Sequence, residues 1–241
     1  MRYAFISDIH SNWEALKEVL DYCRREKIDR TFCIGDIIGY GSNPRECLDA
    51  IRKGRIQSVA GNHDWAVSGR LDPSYFTEDG RAAVMWTRNN VRLDDIEFIN
   101  GLPVTWAGEN FMMVHATPNK PEQFHYVDNI EEAREAFGCF NQQICFIGHT
   151  HVPKIFIEHD QKIYMMPNTE IELNDQDRYI VNIGSIGQPR DGNPLSSFCV
   201  FDSRTKNLQI KRVQYDYKIT QNKIMKAGLP PDLASRLAVG F

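Results

Sequence analysis

The sequence lacks a long hydrophobic run and a long run of like charge. No apolar stretch approaches the roughly 18 residues needed to cross a bilayer. Asp8 comes too early for a secretory leader to precede it, so we expect an unprocessed, cytoplasmic protein. Lys and Arg are scattered and the net charge is −4, which argues against nucleic acid or a membrane as the main partner.

Paired cysteines are missing as well. The six cysteines contain no C-x-x-C pair, and several lie inside apolar runs such as FCI at 32–34 and ICF at 144–146. These contexts are typical of buried free thiols in a reducing compartment. With 241 residues, 42% of them hydrophobic, the chain can form the core of one α/β domain, which we predict to span 1–241.

The pattern of predicted elements changes at about residue 151. Before it, short apolar runs alternate with helical patterns; the predicted strands are 2–7, 31–34, 56–60, 111–114 and 144–147. The predicted helices there begin after Ser11 or Asn12, at 44–51, twice within 74–100 and at about 130–137. After it, close-spaced strand candidates at 154–158, 162–166, 179–183, 198–201 and 208–215 indicate an antiparallel or mixed sheet. A helix at about 220–227 follows, with a shorter one after Pro231.

Polar side chains follow each of the five early strands. They are Asp8 and His10, then Asp36, then Asn62, His63 and Asp64, then His115, then His149 and His151. The carboxyl ends of strands in an open α/β sheet form the ligand crevice, so we expect these side chains at one edge. Asp8 and His10 are spaced i, i+2, and in an extended segment they would point the same way and bind one ion together. A single such pair is weak evidence, but five strand ends in one chain indicate a metal site.

With these motifs the sequence resembles the calcineurin-like metallophosphoesterase superfamily. The motifs D-x-H, G-D, G-N-H-D, a lone His and G-H-x-H occur in the family's order between Asp8 and His151. DIHSN at 8–12, GDIIGYG at 35–41 and GSIGQPRD at 184–191 resemble the small bacterial branch in particular. The resemblance implies a four-layer αββα sandwich, in which two mixed sheets are flanked by helices.

The resemblance also implies a site for two metal ions. One ion would be held by Asp8, His10, Asp36 and His151, and the second by Asp36, Asn62, His115 and His149. Oxygen and imidazole ligands without thiolate suit divalent or trivalent Mn, Fe or Zn, with manganese as the first expectation. Two such ions about 3.5–4 Å apart can share a water and produce the hydroxide that attacks a phosphate ester. Asn62 supplies a neutral oxygen, which leaves net positive charge to attract the anionic ester.

Two further pairs of residues are predicted to act on the substrate. The resemblance makes His63, with its neighbour Asp64, the group that protonates the leaving oxygen or steadies the phosphate. In the GSIGQPRDG loop we assign phosphate binding to Arg190, with Gln188 as a second substrate-binding residue, although turn chemistry alone would explain the glycines and proline. The family's serine/threonine phosphatases read G-D-x-x-D-R-G, and here Gly39 and Tyr40 occupy the last D-R positions. Arg190 is therefore our hypothetical replacement for that Arg.

These features predict a dinuclear-metal-dependent phosphoesterase that acts on a small phosphate ester or a nucleotide. A phosphoprotein phosphatase and a dinucleoside polyphosphate hydrolase are alternatives. A metal-bound binding module, like the retromer subunit of this fold, is a non-enzyme alternative, and the acidic balance argues against a nuclease. Exposed strands of the second sheet allow a homodimer. The sequence does not show which residues of 65–100 and 118–130 line the pocket.

Overall fold

The strands form two six-stranded mixed sheets in the residues that the computed structural model describes, 1–166 and 169–241. The first sheet has the order β3 (Gln57–Ser58), β2 (Arg30–Cys33), β1 (Arg2–Ile6), β11 (Ser196–Asp202), β12 (Asn207–Val213), β9 (Glu170–Glu172). The second has the order β4 (Thr105–Ala107), β5 (Phe111–Val114), β6 (Ile144–Ile147), β10 (Arg178–Asn182), β7 (Lys154–His159), β8 (Lys162–Met166). In each sheet three neighbouring strands are parallel, β1–β2–β3 in one and β5–β6–β10 in the other, and the remaining pairs are antiparallel.

Helices connect β1 to β2, β2 to β3 and β5 to β6, and they cover the outer faces of the sheets. They are α1 (Trp13–Arg25), α2 (Pro44–Lys53), α3 (Asn62–Ser68), α4 (Glu78–Arg88), α5 (Leu93–Asn100), α6 (Ile130–Phe137), α7 (Tyr217–Lys226) and α8 (Pro231–Ser235). Short 3₁₀ turns lie at Pro73–Tyr75, Pro121–Gln123 and Arg236–Ala238. Among the helices described, none combines the length and the apolar character that a membrane span requires.

An apolar layer between the sheets fixes their relative position. The rings of Phe5 from β1 and Phe146 from β6 stack across this layer with centroids 3.7 Å apart, and both are fully buried. Burying one such side chain contributes about 1.5–3 kcal/mol. A second core lies between the first sheet and its helices, and a third joins the second sheet to α6. The αββα sandwich is therefore confirmed, and its rigid centre sets where the strand ends lie.

Several elements differ from those that the sequence predicted. The strand predicted at 56–60 is paired only at Gln57–Ser58, because it forms the edge of its sheet. The helix α3 was not predicted, since it begins at Asn62, directly at the polar motif. The strands β4 and β9 were also missed; each has three residues and lies at or near a sheet edge, where pairing rather than local pattern defines it.

The cysteines are unpaired, as expected. Five of the six are buried, and Cys139 alone is exposed, because it follows the last turn of α6 at the surface. The prediction of buried free thiols is thus correct for every cysteine within a strand or helix.

Candidate active site

The predicted ligands meet where the carboxyl ends of strands from both sheets come together. Strands β1, β2 and β3 lead into Asp8, Asp36 and Asn62, while β5 and β6 of the other sheet lead into His115 and His149. The sequence had suggested the edge of one open sheet, whereas the site spans two. A hydrogen bond of 3.0 Å from the His149 backbone N–H to Asp8 Oδ2 joins the two halves.

Left-handed backbone directs the ligands into the site. Positive φ angles occur at Asp8 (52°), His10 (49°), Asp36 (50°), His149 (68°) and His151 (61°). Such angles are uncommon for residues other than glycine and cost on the order of 1–3 kcal/mol each. The prediction of an extended Asp8–His10 segment is therefore wrong, since a turn rather than strand alternation aims both side chains. A cluster of residues with strained backbone conformations is typical of functional sites.

One group of potential metal ligands consists of Asp8, His10 and His151. Asp8 Oδ1 lies 3.2 Å from His151 Nε2 and 3.6 Å from His10 Nε2. The two Nε2 atoms are 3.0 Å apart. All three residues are buried, and their donor atoms lie close enough together to hold one ion.

A second group consists of Asp36, His115 and His149, and its Asp36 also lies beside His10 of the first group. Asp36 Oδ2 lies 3.3 Å from His115 Nε2 and 3.6 Å from His10 Nε2. Its other oxygen accepts a hydrogen bond of 2.8 Å from the His63 backbone N–H. A Cβ on Gly61 would collide with the Asp36 carboxylate, so only glycine allows α3 to begin this close to it.

The hydrogen bonds on the far side of two imidazoles fit a bound cation. His115 Nδ1 lies 2.8 Å from the carbonyl oxygen of Ile34, and His151 Nδ1 lies 2.5 Å from that of Gln188. Carbonyls only accept, so each Nδ1 carries a hydrogen, and once the ring is neutral its Nε2 lone pair is available to a bound ion. Buried polar atoms of the site also lack a hydrogen-bond partner, among them Asp8 Oδ1, Asn62 Oδ1 and His115 Nε2. Metal ions bound in the two groups would satisfy these atoms, so the residues fit a metal site.

The pKa values follow from burial and from the mixture of charges. Burial lowers the pKa of His149 to about 3 and that of His151 to about 4, so both are neutral. Burial acts in the same direction on His115, but the Asp36 and Asp8 carboxylates outweigh it and raise its pKa to about 10. Burial would raise the pKa of both carboxyls, yet the imidazoles hold both below the usual range. In the metal-free state a proton on His115 thus offsets part of the carboxylate charge.

His63 lies beside both ligand groups. Its ring packs against Tyr40, with centroids 4.4 Å apart, and edge-to-face on Phe76 at 4.7 Å. The Nδ1 atom is buried without a hydrogen-bond partner, and a Cβ on Gly39 would come within 2.5 Å of it. Burial lowers the pKa of His63 well below its usual value, although Asp36 acts against this.

Asp64 differs from its predicted partnership with His63. Its carboxylate accepts hydrogen bonds from the backbone N–H groups of Gly61, Ile37 and Ile38 at 3.0, 3.0 and 3.3 Å. Burial and the Asp36 carboxylate raise its pKa to about 7, against the effect of these donors. No hydrogen bond within 1–166 and 169–241 joins Asp64 to the His63 ring. The carboxylate caps α3 and ties it to the loop after Asp36.

Arg190 reaches the site from its loop. Its Nη2 donates to Gln188 Oε1 at 2.9 Å and to the Tyr40 hydroxyl at 3.4 Å, while its Nε is buried without a partner. Gln188 therefore holds Arg190 through its side chain and His151 through its carbonyl. Sequence reasoning treated Tyr40 only as a missing Arg. Its ring lies against both His10 and His63, at 4.6 and 4.4 Å, and its place in GDIIGYG was the available signal.

A cavity of about 560 Å³ opens over the site. It is lined by the predicted ligands Asp36, Asn62, His149 and His151, together with His63 and Arg190. Its walls come from the two segments that the sequence could not sort: Leu71, Tyr75, Phe76 and Thr77, and Glu122, Gln123, Phe124, His125 and Tyr126. The volume matches a small-molecule pocket.

Fold and site together define a metallophosphoesterase. A family model described as "Calcineurin-like phosphoesterase superfamily domain" matches residues 1–206, and the chain belongs to this superfamily. The chain is 38% identical, over 244 aligned positions, to uncharacterized protein MJ0912 of Methanocaldococcus jannaschii, and the alignment covers 98% of this chain and 97% of the relative.

Solved structures agree with this assignment. A metallophosphoesterase from Sphaerobacter thermophilus superposes with a TM-score of 0.89 at 36% identity, covering 100% of this chain and 99% of the other. Hypothetical protein PH1004 from Pyrococcus horikoshii OT3 shares the fold, with a TM-score of 0.82, 18% identity and coverage of 100% and 98%. The resemblance inferred from the motifs is thereby confirmed.

Proposed function

We propose that this protein hydrolyses a phosphate ester, as a phosphodiesterase or phosphatase, with two transition-metal ions bound in its site. The observation that supports this best is the shared carboxylate. Asp36 lies 3.6 Å from His10 of one ligand group and 3.3 Å from His115 of the other, so a single side chain can serve two ions.

The residues present suit such a pair of ions. Asp8, His10, Asp36 and His151 would hold one, and Asp36, Asn62, His115 and His149 the other. Manganese is our first choice, because oxygen and imidazole donors without thiolate suit it. Bound ions of this kind supply a water of lowered pKa and positive charge that stabilises a phosphate. Two carboxylates and one amide leave that charge only partly neutralised.

Arg190 is the side chain that would bind the phosphate. Gln188 and Tyr40 hold the guanidinium at the cavity, and its Nε has no partner within the protein. A planar guanidinium can donate to two phosphate oxygens at once, which fixes the orientation of the ester.

His63 would donate a proton to the leaving oxygen. Its unpartnered Nδ1 is buried beside Asp36, and the ring lines the cavity. The ring is neutral without substrate, because burial lowers its pKa. An anionic ester next to the ring favours the protonated form, so the acid would be charged when it is needed.

We propose that the substrate is a small molecule and that the protein acts on it inside the cell. The cavity volume of about 560 Å³ suits a ligand of nucleotide size better than a folded protein surface. The six unpaired cysteines support a reducing compartment, hence the cytoplasm.

The test is a hydrolysis assay with and without Mn²⁺ on an aryl phosphodiester and an aryl phosphomonoester side by side. We expect Mn²⁺-dependent turnover that is lost in Asp36→Asn. Asp49→Asn, an acidic residue on α2 outside the site, is the matched control and should retain activity. Two bound ions without turnover of either ester would contradict the proposal and favour the binding module.

A further inference from the structure

Two exposed aromatic side chains line the same cavity as the metal ligands. The exposed fraction is 82% for Tyr75 and 54% for Tyr126. Other apolar side chains are exposed elsewhere on the surface, but these two line the cavity together with Asp36 and His149. Exposed apolar surface inside a concave site indicates a ligand that covers it.

The two exposed tyrosines lie near different histidines of the site, Tyr75 near His63 and Tyr126 on His149. The Phe76 ring packs edge-to-face on His63 with centroids 4.7 Å apart, and Tyr75 precedes it in the 3₁₀ turn Pro73–Tyr75. The Tyr126 ring stacks on His149, at 4.3 Å and an interplanar angle of 21°. A flat group attached to a phosphate at the metal ligands would therefore have a tyrosine ring to stack on near either histidine.

Polar groups in the lining of the cavity suit a heterocycle better than a plain hydrocarbon ring. Thr77, Glu122 and Gln123 line the cavity and offer a hydroxyl, a carboxylate and an amide. A nucleobase presents donors and acceptors at its edge and π-faces above and below, which match this lining.

The charges of the lining limit the number of phosphates. Arg190 is the one Lys or Arg among the residues that line the cavity in the part of the chain described, and Glu122 adds a negative charge. A dinucleoside polyphosphate would carry several negative charges away from the metal ligands with no cation to meet them. A single phosphate would be met by Arg190 and the metal site.

We propose that the cavity binds a nucleoside monophosphate unit, either a free nucleotide or one half of a nucleotide diester, with its base stacked on Tyr75 or Tyr126. This inference rests on the proposed function, because the phosphate of the unit would lie at the metal ligands.

The test compares the binding of AMP, ribose 5-phosphate and phenyl phosphate to the Mn²⁺-loaded protein, by calorimetry and by competition against hydrolysis of an aryl phosphodiester. AMP and ribose 5-phosphate carry the same phosphate and sugar and differ only in the base. We expect AMP to bind at least about tenfold more tightly, within the range for stacking one base on an aromatic ring. The double variant Tyr75→Ala/Tyr126→Ala should reduce the ratio of the two dissociation constants, ribose 5-phosphate over AMP, toward one.

Tyr164→Ala is the matched control, because Tyr164 is a half-exposed tyrosine on β8 outside the cavity and should leave the ratio unchanged. Equal binding of AMP and ribose 5-phosphate would overturn the inference, as would phenyl phosphate binding as tightly as AMP or a ratio that survives the double variant. If the proposed function is wrong, the unmodified protein and every variant will fail to hydrolyse the aryl phosphodiester. The ratio of the two dissociation constants from calorimetry would still test the base site in that case.

Discussion

His10 and His151 are 141 positions apart in the chain, yet their Nε2 atoms lie 3.0 Å from each other. Nitrogen ligands about 2.0–2.1 Å from one ion and at right angles to each other would be separated by about 3 Å. Without an ion, the His151 lone pair can accept a hydrogen from His10 Nε2, and both nitrogens also face Asp8 Oδ1, at 3.6 Å from His10 and 3.2 Å from His151. The fold therefore holds the two rings in the arrangement that a shared cation requires.

Metal binding should release a proton from His115. Its pKa of about 10 means that the ring is charged in the metal-free protein at pH 8, whereas a ligand must be neutral. His149 and His151, with pKa values of about 3 and 4, have no proton to lose. We expect release of about one proton per chain, and metal affinity that increases with pH up to about 10. Calorimetry at pH 8 in buffers of different ionisation enthalpy measures the number of protons released per chain. Release of no proton, with metal bound, would contradict the assignment.

His63→Ala should lower kcat by about 10²–10⁴-fold while two ions per chain remain bound. The loss should depend on the leaving group, because an acidic phenol departs without protonation and an alkoxide does not. We therefore expect a smaller loss for a 4-nitrophenyl ester than for an alkyl ester of the same phosphate. Rates for both esters, with metal content from elemental analysis, check this. An equal loss for both esters would rule out a role for His63 in protonating the leaving group.

Arg190→Ala should lower kcat/KM by about 10²-fold, the loss typical of removing one charged donor that stabilises the transition state. Arg190→Lys should recover only part, since a lysine cannot donate to two oxygens in one plane. Arg212→Ala is the control: Arg212 pairs with Asp191 of the same loop but does not line the cavity. If steady-state kinetics gave the same loss for both alanine variants, Arg190 would act through loop structure alone.

Asn12→Ala should destabilise the protein more than the removal of an ordinary helix cap. Asn12 Oδ1 accepts from the Ala15 N–H and the Thr220 hydroxyl, and its Nδ2 donates to the carbonyl of Gly187 at 2.9 Å. Loss of the cap costs about 1 kcal/mol, and the two buried cross-links add about 1 kcal/mol each.

The matched control is Asn129→Ala, because Asn129 caps α6 at the surface through two backbone N–H groups at 3.0 Å and has no such cross-links. We expect the free energy of unfolding in urea to fall by about 2 kcal/mol more for Asn12→Ala. Equal losses would mean that Asn12 acts only as a cap.

The positions of the ligands along the chain were predictable because each follows a short apolar strand. Strands such as Phe111–Val114 and Ile144–Ile147 were predicted with their observed bounds, since they are fully buried and uniformly apolar. That the site lies where two sheets meet was not predicted, since the sequence placed all five strand ends at one sheet edge. Local pattern does not report which sheet a strand joins.

Other parts of the site were beyond the reach of sequence reasoning. Left-handed backbone at Asp8 and His10 has only a weak signal in residue type, because Asp and His are enriched in that region without requiring it. Tyr75 and Tyr126 come from segments with little regular structure, so no periodicity shows that both face the cavity. Asp64 was assigned by adjacency to His63, but its carboxylate points toward backbone amides instead.

The most direct test of the two-metal site is anomalous diffraction from crystals of the protein grown or soaked with Mn²⁺. We expect two peaks about 3.5–4 Å apart. One should lie among Asp8, His10 and His151, the other among Asp36, His115 and His149. A single peak, or peaks outside these residues, would contradict the claim that Asp36 joins two metal ions in one catalytic site.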